Sequence, residues 1–169
     1  MFRPMRRSAQ ELTREECEEI LRRCPMGVLA VTGDEGYPYA VPVNPVYENG
    51  TIYFHCAREG HKLDAIRRDS RVSFCVVDQD TVIPEERTTA YVSVIAFGRA
   101  RLLEDEAEMR HVCDLIGRKF CPDHLEACRA ETEETLAARR LGVVAVTVEH
   151  LTGKCGKAVL QARRGKQAP

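Results

Sequence analysis

Between Tyr37 and Tyr47 an otherwise extended segment carries three prolines, Pro38, Pro42 and Pro45. Proline has no N–H to give to a neighbouring strand, so this stretch cannot run through the middle of a sheet. It must be an edge or bulged strand, with carbonyls and some N–H groups left outside the ladder. Free main-chain polar groups beside an apolar core suit a planar heterocycle that needs backbone hydrogen bonds. A merely irregular edge strand would look the same. Turn signals bracket the segment: Gly33-Asp34-Glu35-Gly36 links it to the apolar run Gly27 to Thr32, and Glu48-Asn49-Gly50 leads into Thr51 to Ala57.

The rest of the chain extends this hairpin rhythm. Thr13-Arg14-Glu15-Glu16 is a capping box that starts a helix with Cys17, Ile20 and Leu21 inward, ending before Pro25. Gly60 to Asp69 reads as a short helix, Arg71 to Asp78 as a strand and Gln79 to Thr88 as a polar loop. A long strand from Thr89 to Leu103 has a bulge expected at Gly98. Two helices, Glu104 to Phe120 and Pro122 to Arg139, precede a last strand, Gly142 to Leu151. This is not the alternating rhythm of a parallel sheet. Val72, Phe74 and Val76 alternate with Cys75 and Val77, and Val144, Val146 and Val148 with Val143 and Ala145, so these strands are apolar on both faces. One face can fill a barrel; helices or a second subunit must cover the other. The expected fold is mainly β with α: a six-stranded antiparallel barrel with flanking helices, dimerising. It forms a single domain over 1–169, with tails at 1–11 and 158–169.

Charge is nearly balanced, 25 basic against 26 acidic residues, which disfavours nucleic acid as a partner. No apolar run reaches the roughly 18 residues of a membrane span, and Met1 to Glu11 holds no signal-peptide core. The chain reads as cytoplasmic. Its eight cysteines are spread along the sequence and read as small apolar fillers. Only Cys121, His124 and Cys128 have ligand-like spacing; a zinc site is thinkable there, but helix packing is the favoured reading and no metal is expected.

Phosphate-loop, dinucleotide-fingerprint, nucleophile-elbow and zinc-protease motifs are all missing. The local chemistry concentrates in Tyr53-Phe54-His55-Cys56-Ala57-Arg58-Glu59-Gly60-His61-Lys62-Leu63. Here a strand ends in a histidine, and a glycine opens a helix whose first residues are basic. Unpaired N–H groups at a helix start, with Lys62 and His61 beside them, can hold a phosphate. An ordinary solvated helix start is the alternative. Lys154, after Thr152-Gly153, could reach back over the barrel mouth, or be a solvated turn lysine.

Several short segments together resemble the pyridoxamine 5′-phosphate oxidase-like split-barrel family, in particular its nitroimidazole-resistance, flavin-nucleotide-binding branch. They are Met5-Arg6-Arg7, Gly27-Val28-Leu29-Ala30, Gly36 to Pro42, Ile52 to Ala57 with Gly60-His61-Lys62, Tyr91 to Ala100, and Thr152-Gly153-Lys154. The resemblance implies FMN at a homodimer interface. It would place the main chain of Val41, Pro42 and Val43 along the isoalloxazine, and His55 beside flavin and phosphate. Ala57, His61 and Lys62 would lie near the phosphate, with Ser93 and Lys154 as further pocket contacts. It also implies an FMN-dependent oxidoreductase drawing on NAD(P)H or another donor, with nitro-aromatics among the candidate acceptors. The alternative is a flavin- or haem-binding module or sensor without turnover, with His55 or His61 as a haem ligand. Pro45 after Asn44 and the lack of a tryptophan after Lys154 depart from the branch on the substrate side.

Overall fold

The computed structural model describes the backbone of residues 2–166 and the side chains of residues 2–162. Helix α1, Arg14–Arg23, starts at the anticipated capping box: Glu16 N–H donates to Thr13 Oγ1 (3.2 Å) and Thr13 N–H to Glu16 Oε2 (2.8 Å). It buries Cys17, Ile20 and Leu21.

Seven strands follow, all paired antiparallel: β1 (Gly27–Thr32), β2 (Pro38–Val43), β3 (Val46–Glu48), β4 (Thr51–Ala57), β5 (Arg71–Ile83), β6 (Thr88–Leu102) and β7 (Leu141–Cys155). Helix α2 (His61–Arg68) joins β4 to β5, and α3 (Glu106–Phe120) and α4 (Leu125–Ala137) lie between β6 and β7. The sheet order is β2-β1-β5-β6-β7-β4-β3. It curls around one core, with Leu29, Ile52, Phe54, Phe74, Val94 and Val144 all fully buried in it. The end strands β2 and β3 do not pair, so the barrel is split rather than closed.

The count is seven rather than six because the proline-rich segment divides. Its two pieces, β2 and β3, sit at opposite edges of the sheet, and the chain crosses between them at Asn44-Pro45. Asn44 Nδ2 donates to the Pro25 carbonyl (2.8 Å), and Lys119 Nζ donates to the carbonyls of Cys24 (2.7 Å) and Pro45 (2.8 Å). These bonds satisfy the main chain where no strand can.

Other boundaries also shift. The expected loop 79–88 is mostly strand: β5 continues past a bulge between Val77 and Gln79, and the hairpin turns only at Pro84–Glu86. Polar residues there belong to an exposed two-stranded ribbon. The bulge expected at Gly98 is present, as a register shift between Phe97 and Gly98. A helix α5 (Lys157–Lys166) occupies most of the expected C-terminal tail, whose residues 167–169 lie outside the described residues. At the other end Arg3, Arg6 and Arg7 are exposed, yet Gln10 is buried and the backbone of Glu11 forms an isolated antiparallel β-bridge with that of Lys154. Against the outer face of β4 and β7, α3 packs Met109, Val112 and Cys113 on Val143 and Ala145. No helix among the described residues is long and apolar enough to cross a membrane.

Candidate functional site

Alternation and register put most of the sequence-predicted residues on one surface, the outer face of the sheet. Pro42 lies opposite Val28, which faces Cys75, then Ile95 and Thr152; Val77 lies opposite Ser93, and Ser93 opposite Lys154. Tyr53, His55 and Ala57 are on the same side at the other end, opposite Ala145, Val143 and Leu141. Val41 and Val43 point the other way and pack against the core. Their side chains are committed, so at Val41 and Val43 only the main chain is free for a ligand, while the Ala40 and Pro42 side chains are exposed on the outer face.

Within one chain these residues form separate groups. His55 and Ala57 end β4 and lead through Gly60 to His61 and Lys62. Ser93 and Lys154 face each other eleven residues further along β7 from Val143, the partner of His55. At about 3.3 Å per residue this is roughly 35 Å measured along the strand. Lys154 does not reach over the barrel mouth. A bulge at Glu149, where Gly98 pairs with Val148 but Phe97 with His150, turns Lys154 outward. Its Nζ lies 5.5 Å from the Tyr91 ring centroid.

The start of α2 is built by Gly60, whose φ of 128° and ψ of 165° belong to a region essentially open only to glycine. The first intrahelical acceptor, the Gly60 carbonyl, takes the N–H groups of Leu63 and Asp64, so those of His61 and Lys62 precede the helical ladder. His61 is already engaged: its ring stacks on Tyr39 (centroids 4.2 Å apart) and its Nε2 is 3.5 Å from Asp34 Oδ2. The Arg68 guanidinium, hydrogen-bonded at 2.7 Å, and then His61 hold the Asp34 carboxyl below its usual range. Lys62 differs. It is half-buried and makes no ion pair among the described residues. Its charge opposes the rise that burial imposes on the Cys56 thiol.

His55 and Ala57 open onto a cavity of about 630 Å³, large enough for a heterocyclic ligand. Asn44 lines it from the strand side; Ile116, Phe120, Cys121 and Arg140 line it from the helical side. Sequence reasoning missed this helical wall, because the apolar stripe of α3 reads as ordinary core packing. His111 pairs with Glu48 at 2.7 Å, and His150 stacks on Phe2 at 4.4 Å, so neither enters the site. Among the described residues no group of three or more His, Cys, Asp or Glu side chains is placed to hold a metal ion, and Cys121, His124 and Cys128 do not converge on one.

A split barrel with this edge-strand crossing defines a class. The sequence profile of pyridoxamine 5′-phosphate oxidase matches residues 13–155, and the chain belongs to that family. No curated protein matches it significantly. Among solved structures it resembles a candidate 5-nitroimidazole antibiotic resistance protein from Bacteroides thetaiotaomicron, with 26% identity, TM-score 0.70 and 86% of each chain covered. A FAD-binding protein from Mesorhizobium loti shares 24% identity at TM-score 0.60, over 88% of this chain and 98% of that one. A FAD- and haem-binding protein from Mycobacterium smegmatis shares 21% at TM-score 0.73, over 88% and 74%.

Proposed function

We propose that this protein is a flavoprotein oxidoreductase that binds FMN between two copies of the chain. The observation that carries this reading is the division of the outer face. Half of it is covered by α3, while the half bearing Pro42, Ser93 and Lys154 is bare and apolar, with Val77 58% and Ile95 39% exposed. A second copy laid on that half would bring one chain's Ser93 and Lys154 to the other's His55 and Lys62, joining groups that one chain keeps apart.

In such a site Lys62 and the free N–H groups at the start of α2 hold the phosphate. The main chain of Val41, Pro42 and Val43 borders the ring, His55 and Ala57 close the phosphate side, and Ser93 and Lys154 add contacts from the partner. His61 supports the phosphate end through its fixed stack on Tyr39. Flavin, when bound, supplies electron transfer between NAD(P)H or another donor and a small acceptor, nitro-aromatics among them; the protein binds, orients and tunes it.

Purified protein should be yellow and should release one flavin per chain on denaturation, FMN by mass. Lys62→Ala should weaken FMN binding about tenfold or more, as loss of a charge-assisted contact does. A colourless protein that takes up no added FMN overturns the proposal; extracted FAD would keep a flavoprotein but replace the monophosphate site. A second reading, a haem-binding module without turnover, draws on the exposure of His55 to the cavity. A Soret band on isolation would favour it.

A further inference from the structure

The far wall of the cavity brings together two thiols seven residues apart. Cys121 caps α3, its N–H bonded to the Gly117 carbonyl at 2.8 Å, and Cys128 stands in the first turn of α4. Gly117 lies one turn before Cys121. A Cβ there would meet Leu125 Cδ2 at 3.3 Å, the Cys128 Cβ at 3.4 Å and its Sγ at 3.8 Å, so Cys128 packs on the turn of α3 just below Cys121. Burial and, after it, the neighbouring Cys121 raise the Cys128 thiol above its ordinary range. Cys121 is exposed, Cys128 half-buried, and both face the cavity. All eight cysteines are free thiols.

We infer that Cys121 and Cys128 form a redox dithiol whose substrates are small-molecule disulfides admitted by the cavity. The Cys121 thiolate, the more accessible of the two, attacks one sulfur of R–S–S–R. That bond breaks, one thiolate leaves and takes up a proton, and Cys121 carries the mixed disulfide. Cys128 then loses its proton and attacks the Cys121 sulfur, expelling the second thiolate, which is protonated in turn. Two protein thiols are oxidised by two electrons and one disulfide is reduced to two thiols. The new bond ties the end of α3 to the start of α4 and stiffens the cavity wall facing His55. None of this depends on flavin.

The test uses reduced full-length protein treated with oxidised glutathione, then alkylated and digested with trypsin. The peptide Phe120–Arg129 carries both thiols. It should lose two hydrogens, escape alkylation and regain both alkylation sites after reduction. Cys128→Ser should accumulate a stable glutathione adduct on Cys121, and Cys121→Ser should react at Cys128 at least tenfold more slowly. Wild-type protein that keeps glutathione on Cys121 without closing the internal disulfide overturns the inference. So does a peptide that stays fully reduced while other cysteines react.

Discussion

Gly60 and Lys62 show how a single backbone angle sets up the candidate phosphate end. With φ at 128°, Gly60 sits immediately before α2, three residues after the end of β4, and sets the entry of the chain into the helix. Nothing lies within 4 Å of where a Cβ would be, so the cost of a side chain here is conformational rather than steric. Gly60→Ala should therefore destabilise the fold by about 1–3 kcal/mol, read as a lower urea midpoint at unchanged slope. It should also weaken FMN binding beyond what stability accounts for, because relaxing the angle re-aims His61 and Lys62. Lys62 was visible in the sequence because a glycine and a basic pair after a β-prone run is a local signal. The engagement of His61 with Tyr39 and Asp34 was not, since both partners come from the β1–β2 hairpin more than 20 positions away.

Elements governed by local rules were the legible ones. The capping box of α1, the burial of Cys17, Ile20 and Leu21, and the bulge at Gly98 all follow from nearest neighbours in sequence. The splitting of the proline segment was not legible as two edges, because β4, which pairs with β3 across a local turn, docks on β7 at the far side of the sheet from β2. The same holds for Lys154, whose outward direction depends on one extra residue, Glu149, in β7. The ribbon 79–88 looked like a loop because most of its side chains are polar and Pro84 interrupts it, although Thr81, Val82 and Ile83 pair in register with Ala90, Thr89 and Thr88. For α1 the local rule carries a measurable consequence. Thr13→Ala removes the oxygen that accepts from Glu16 N–H and should cost about 1 kcal/mol in denaturant unfolding, whereas Thr13→Ser keeps the acceptor and should cost little. Equal losses for the two would mean that the Thr13 methyl group, not the cap, holds the start of α1.

At the scale of the molecule, the balance of covered and bare surface decides the oligomer. Much of the exterior carries arginine–carboxylate pairs, such as Arg110 with Glu106 and Glu133, that suit contact with water. The outer face of β1, β2, β5 and β6 instead presents Ala40, Pro42, Val28, Ala30, Cys75, Val77 and Ile95 in adjacent rows, with Lys154 at its border. A contiguous apolar sheet face of this kind marks an interaction surface. The protein should accordingly sediment at twice its chain mass of 19.0 kDa. Ile95→Arg would bury an unpaired charge in the middle of that contact, at a cost that a dimer built on this face cannot offset. It should sediment as a monomer with native circular dichroism, and it should lose flavin, because Ser93 and Lys154 would no longer meet the partner's cofactor site. Glu126→Arg, at a side chain 89% exposed on α4, adds a like charge off the face and should leave both dimer and flavin intact. An Ile95→Arg dimer that still holds flavin would place the interface elsewhere. The groups around Ser93 and His55 would then have no route to one another across this face, and Ser93 and Lys154 would drop out of the cofactor site.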